Sequence, residues 1–207
     1  QVFAGIVMSI IHLLKKKPLL VFSKGGYVSV PPVIAAKILG IPAVTHESDV
    51  DPGLATKINS KFADIICVSY QETKEQFPDK LKNKVRVTGN PVRQAIFKGD
   101  PQKGRSMFSM PPGLPVLLVV GGSSGALELN GYVYDNVEDW SKHCFIVHQK
   151  GSVEERSHKG SNYIEKEFFT EEYPDILAAA DLVLSRSGAS AVWECIVWRK
   201  PAILVPL

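Results

Sequence analysis

Residues 181–207 read DLVLSRSGASAVWECIVWRKPAILVPL, and the fold class follows from this stretch. It opens on an apolar run and passes a small polar turn at Arg186-Ser187-Gly188-Ala189. It continues with helical periodicity to about Arg199 and closes on a second apolar run. Strand, loop, helix and strand in that order form the repeating unit of a parallel sheet. Strands of such a sheet are covered on both faces and read as continuous apolar runs. The residues where the helix begins are small, which lets a ligand approach the backbone. A helix N-terminus offers unpaired N–H groups and partial positive charge. Glu194 follows in the same helix and is an acid able to take a sugar diol. A phosphate acceptor followed by a carboxylate is the layout of a nucleotide site.

The same alternation runs backwards through the chain. Strands are expected at 18–23, 42–45, 65–69 and 84–88, with helices at 32–39, 53–62 and 71–77 between them. Residues 98–115 (KGDPQKGRSMFSMPPGLP) break the pattern, are rich in Pro, Gly and Lys, and read as a linker. A second series then begins, with strands at 116–120, 145–148 and 163–168 and helices at 126–140 and 175–180. The expected organisation is therefore α/β with two parallel-sheet domains, 1–98 and 115–207, joined by a linker at 99–114. In open α/β sheets ligands bind beyond the carboxyl ends of strands. The polar clusters worth singling out all fall at such ends.

Composition narrows the function classes. The chain has 207 residues, 45% of them hydrophobic, enough for one large or two small cores. A net charge of +3 does not by itself argue for nucleic acid, and no nucleic-acid partner is expected. The three cysteines, Cys67, Cys144 and Cys195, lie in apolar runs without metal or disulfide spacing, and read as buried thiols. No apolar run approaches the roughly 20 residues of a membrane span. At the N-terminus, Phe3, Ile6, Val7, Ile10, Leu13 and Leu14 recur at helical spacing, and Lys15 to Lys17 close the segment where cations suit the dipole. Such a helix either packs on a sheet or lies on a membrane with its lysines at anionic head groups.

Four further clusters carry chemistry. Gly121-Gly122-Ser123-Ser124-Gly125 follows a strand and opens a helix, so its N–H groups can cradle an anion, although it is neither GxGxxG nor a P-loop. Arg93 follows Gly89-Asn90-Pro91-Val92 and can pair bidentately with a diphosphate, or stand as a solvated helix arginine. In His46-Glu47-Ser48-Asp49, the imidazole or the carboxylate can serve as base for a hydroxyl nucleophile, or else cap the following turn. Asp49-Val50-Asp51 is formally the DxD spacing with which some sugar transferases hold a divalent metal. Asp51-Pro52-Gly53 explains one of those aspartates as a turn residue, and no metal or other cofactor is indicated.

Taken together these clusters resemble the MurG family of bacterial N-acetylglucosaminyl transferases. The matching residues are Gly25-Gly26-Tyr27-Val28-Ser29, Gly40-Ile41-Pro42 with His46-Glu47, Gly89-Asn90-Pro91-Val92-Arg93, Gly121-Gly122-Ser123 with Gly125-Ala126, and Arg186-Ser187-Gly188-Ala189 with Glu194. They occur in the family's order, at about its spacing, over nearly the whole chain. The resemblance implies a GT-B architecture of two Rossmann-like domains with the active site between them. It implies inverting transfer of GlcNAc from UDP-GlcNAc to undecaprenyl-linked lipid I, at the cytoplasmic face of the bacterial inner membrane. By position, Arg93, Ser123 and Phe169 (through its backbone) would contact the donor. Ala189, Ser190, Ala191, Val192, Trp193 and Glu194 would hold its diphosphate and ribose. Asp49 stands where some members carry asparagine, and Glu47 and His46 are the base candidates. Residues 2–17 correspond to the family's membrane patch. The family's first glycine-rich loop and its GlcNAc-binding glutamine are expected outside residues 1–207, so both domains are expected to be incomplete. The alternative reading is a non-catalytic nucleotide-sugar module that needs a partner chain. A UDP-GlcNAc epimerase of similar fold is a third option.

Overall fold

The structure is a computed structural model and describes residues 2–121, 126–152 and 154–206. Two compact units divide the chain, Gln1–Asn90 and Pro91–Leu207.

In the first unit the order is α1 (Val2–Lys16), β1 (Val21–Ser23), α2 (Val30–Ile38), β2 (Ala43–Glu47), α3 (Leu54–Asn59), β3 (Ile65–Val68), α4 (Gln71–Glu75), α5 (Asp79–Lys82) and β4 (Val85–Val87). The strands form one parallel sheet in the order β1-β2-β3-β4. After β1 the chain turns through Gly25 and Gly26 at φ 88° and 81°, a left-handed region that glycine enters without strain. Prolines in the first turn of α2 sit where the missing N–H costs no helix bond. Val33, Ala35 and Ala36 of α2 then pack with Leu13 of α1 and Ala43 of β2.

The second unit contains α6 (Pro101–Met107), β5 (Val116–Val120), α7 (Leu127–Trp140), β6 (Phe145–Gln149), β7 (Tyr163–Lys166), α8 (Tyr173–Ala179), β8 (Leu182–Arg186), α9 (Ala189–Val197) and β9 (Ala202–Val205). Its parallel strands run in the order β7-β6-β5-β8-β9. All of β5 is buried. Val116, Leu118 and Val120 face one core with Phe169, Ile176 and Leu177, while Leu117 and Val119 face another with Leu129 and Val133. The period-2 alternation of a strand thus feeds two apolar layers, which is why the sequence reads as an unbroken apolar run. Strand order proceeds from β5 towards β7 on one side and towards β9 on the other. The carboxyl ends of β5 and β8 therefore flank a topological switch point, the place where α/β sheets open a crevice.

The segment 99–114, expected as a linker, is packed structure of the second unit. Asp100 caps α6 by accepting from the N–H groups of Gln102 and Lys103. Arg105 donates to the Leu114 carbonyl and pairs with Asp181 at 3.0 Å, and Lys103 pairs with Asp175 of α8 at 2.6 Å. Residues before it belong to the same unit: Ile96 is fully buried in the Phe169 core, and the Trp198 indole donates to its carbonyl at 2.7 Å. The division accordingly falls between Asn90 and Pro91. Pro and Gly misled the sequence reading here because they serve a helix start and a close helix approach.

Candidate functional site

In the second unit a cavity of about 420 Å³ opens at the switch point, lined by Arg93, Phe169, Tyr173, the Gly188–Ala191 helix start and Glu194. Gly188 precedes α9 in extended conformation, and no side chain among the described residues caps the helix. The first intrahelical bond to Gly188 comes from the N–H of Val192, so the N–H groups of Ala189, Ser190 and Ala191 are free of helix partners. A Cβ added to Gly188 would meet nothing within 4 Å, so the backbone there faces open space. An uncapped helix start facing open space can accept an anion, the role expected of it from the sequence.

Arg93 and Glu194 meet at that acceptor. The Arg93 guanidinium donates to Glu194 Oε1 at 3.1 Å and lies over the Tyr173 ring, 5.5 Å from its centroid. The Glu194 side chain is 10% exposed and that of Arg93 58% exposed, so the carboxylate is the anchored partner and the guanidinium the adaptable one. Burial, and then the Glu194 charge that it hydrogen-bonds, push the Tyr173 phenol well above its usual range, keeping it a donor. Phe169 borders the cavity but is 1% exposed as a whole residue, and its N–H is already held by Gln149 Oε1 at 3.0 Å. Val192 and Trp193 lie on the same helix but do not line the cavity. Ser123 lies outside the described residues. Tyr173 escaped the sequence reading, since a tyrosine before a proline at a helix start carries no functional signal.

In the first unit the predicted base candidates are drawn into a fixed network. Glu47 is 7% exposed. Its Oε1 accepts from the N–H groups of Ser48 and Asp49 at 2.9 and 3.2 Å, and its Oε2 from that of Gly53 at 3.0 Å. This is the turn-holding role, and it occupies both carboxylate oxygens. His46 donates from Nε2 to the Gly89 carbonyl at 2.9 Å, which leaves Nδ1 to accept from Lys24 at 3.2 Å. Lys24 also donates to Asn90 Oδ1 at 2.6 Å and to Ser48 Oγ. Burial, reinforced by the Lys24 charge, holds His46 below the usual imidazole range. Neither candidate base offers a basic atom without a partner. Asp49 is exposed and its carbonyl accepts from Thr73 Oγ1. Among the described residues no group of three or more His, Cys, Asp or Glu is arranged to hold a metal.

Residues 116–207 match the glycosyltransferase family 28 C-terminal domain, and residues 1–68 match that family's N-terminal domain. The chain belongs to glycosyltransferase family 28. A relative from Treponema denticola, a UDP-N-acetylglucosamine–N-acetylmuramyl-(pentapeptide) pyrophosphoryl-undecaprenol N-acetylglucosamine transferase, is 50% identical over 220 residues, covering all of this chain and 56% of the relative. A protein of the same name from Clostridium perfringens is 40% identical over 209 residues, covering all of this chain and 58% of the relative. The chain thus spans a little over half the length of these curated relatives. Among solved structures, MurG of Acinetobacter baumannii superposes with a TM-score of 0.68 at 24% identity, covering all of this chain and 57% of that one. A UDP-GlcNAc 2-epimerase from Neisseria meningitidis bound to UDP-GlcNAc reaches 0.67 at 16% identity, covering 98% of this chain and 63% of that one. These two likenesses establish the fold of family 28 proteins and their neighbours: parallel α/β sheets of the GT-B type.

Proposed function

We propose that the protein transfers N-acetylglucosamine from UDP-GlcNAc to undecaprenyl-linked lipid I, with inversion, giving lipid II. The observation that carries this reading is the meeting of Arg93 and Glu194 at the uncapped start of α9. In it the donor diphosphate sits on the free N–H groups of Ala189 to Ala191, and Arg93 swings from Glu194 to the phosphates. Helix dipole, N–H groups and guanidinium then stabilise UDP as leaving group without requiring a proton transfer to it. Glu194, released from Arg93 and still held by Tyr173, takes the ribose hydroxyls. The backbone near Phe169 meets the uracil. The relatives' names describe this transferase, and their identity to this chain far exceeds that of the epimerases. On the acceptor side we assign His46 and Glu47 to shaping the rim, because their basic atoms are engaged. Membrane contact at a cytoplasmic leaflet is assigned to the outer face of α1, which presents Phe3, Met8, Ile11 and Leu14 beside Lys15 to Lys17. No helix among the described residues is long and apolar enough to cross a membrane.

The test is an assay of the full-length protein with UDP-GlcNAc and a short-chain lipid I. Acceptor-dependent release of UDP with formation of lipid II is expected. Conversion of UDP-GlcNAc to its 2-epimer without acceptor would overturn the proposal.

A further inference from the structure

A second cavity, of about 590 Å³, lies in the first unit and shares no residue with the Lys24–His46 network or the exposed face of α1. Its floor is apolar: Pro52 and Phe77 are buried, and Leu81 packs against the Phe77 cluster. Its rim carries Lys57, Lys61 and Lys80, all exposed. None of the three ammonium groups has a hydrogen-bond or ion-pair partner among the described residues. Of the acids on the adjoining α4 and α5, Glu75 and Asp79 both pair with Lys82, at 3.4 and 3.0 Å. No carboxylate lines the cavity.

Three like charges around one concavity repel each other, and an anion placed among them relieves that repulsion. An apolar floor of this size takes up the body of a small organic ligand rather than a bare ion. We propose that this cavity binds a small anionic amphiphile, a phosphate-, sulfonate- or carboxylate-bearing molecule whose charged head meets Lys57, Lys61 and Lys80 while its apolar body rests on Pro52, Phe77 and Leu81. The head group chemistry is shared by membrane phospholipids and by soluble phosphorylated metabolites. The inference is independent of the transferase assignment, since no residue of the α9 cavity takes part.

The experiment is amide NMR of the isotope-labelled protein with three probes. They are 8-anilinonaphthalene-1-sulfonate, dihexanoyl phosphatidylglycerol below its micelle concentration, and inorganic phosphate. Saturable shifts at Lys57, Lys61, Phe77, Lys80 and Leu81 are expected for an amphiphile, with inorganic phosphate at least about tenfold weaker because it lacks the apolar body. Saturation by the phospholipid points to a lipid source, and saturation by the sulfonate alone to a soluble one. The variant K57E/K61E, on exposed positions, should keep a dispersed spectrum and weaken amphiphile binding at least about tenfold, and K80E alone should weaken it less. If neither amphiphile saturates these amides, or if K57E/K61E binds as tightly as the parent, the proposal is wrong.

Discussion

Gly188 and Glu194 both line the α9 cavity, and substitutions at each test a different part of the proposed site. Gly188 has φ −69° and open space where a Cβ would stand, so nothing in the fold requires glycine there. Gly188→Ala should leave the unfolding free energy unchanged or raise it by up to about 1 kcal/mol, because it restricts only the unfolded chain. The same methyl group would stand in the path of the proposed diphosphate to the N–H groups, and should weaken UDP binding on the order of tenfold by calorimetry. A loss of stability with full affinity would remove Gly188 from the site. Glu194 is buried, paired with Arg93 and hydrogen-bonded by Tyr173. Glu194→Gln keeps its shape and removes the charge proposed to accept the ribose hydroxyls. UDP affinity should fall by roughly 1.5–3 kcal/mol, the scale of a charged hydrogen bond. An unchanged Kd would sink the ribose assignment.

Two helices and a strand pair set the next level of prediction. Gly99 and Gly104 let the α6 segment lie directly on α8: a Cβ at Gly99 would stand 2.2 Å from the Pro174 carbonyl oxygen, and one at Gly104 2.2 Å from that of Asp175. Backbone cannot yield as a flexible side chain can, so Gly104→Ala should cost about 1–3 kcal/mol or more in urea unfolding. If 99–114 were a free linker, the substitution would be neutral. Between α7, β6 and β7 the fully buried His148 bonds Tyr163 through Nδ1 and Asn130 through Nε2. Burial lowers its pKa from 6.5 to about 4. The folded value lies below the unfolded one, so on acidification the unfolded chain takes up the proton first. Stability is therefore lost as pH falls from about 6.5 towards 4 and levels off below, with a loss from this group of about 2 kcal/mol between pH 7 and pH 5. The loss should be absent from His148→Gln when its unfolding midpoints are compared with the parent's at the two pH values. The edge strands β4 and β9 are largely exposed, whereas β5 and β6 were legible in the sequence as apolar runs because burial on both faces leaves no other signature. The α6 segment was not, since glycine and proline look alike in a loop and in a close helix contact. Glu194 and the start of α9 stood out in the sequence because small residues and an acid share one short stretch, whereas the meeting of Arg93 with Glu194, 101 positions apart, is made only by folding. Tyr173 was not legible, because its partners are brought to it only by folding.

Across the whole molecule the charges nearly cancel, at a net of +3, so long-range attraction to a membrane depends on local clusters such as Lys15 to Lys17. The sequence presents the apolar residues of α1 as one set, and the fold divides them between two faces. Leu13 is buried and Ile10 partly so, against Val33, Ala35 and Ala36. Phe3 is 80% exposed, Met8 66%, Ile11 56% and Leu14 56%. The packing role and the proposed membrane role therefore fall on different residues of one helix, and substitutions can separate them. F3S/M8S removes apolar area that the fold does not use, and should leave the unfolding midpoint within experimental error. It should lower partition onto vesicles containing anionic lipid at least about tenfold, since each large side chain contributes on the order of 1 kcal/mol or more when inserted. Leu13→Ser should do the reverse, costing about 2–4 kcal/mol of stability through a buried cavity and an unpaired hydroxyl. Raising the salt from about 0.1 to 0.5 M should weaken sedimentation of the parent, because the lysine contribution is screened while the apolar one is not. If F3S/M8S sediments with anionic vesicles as the parent does, the outer face of α1 is not the membrane contact, whatever the lysines contribute.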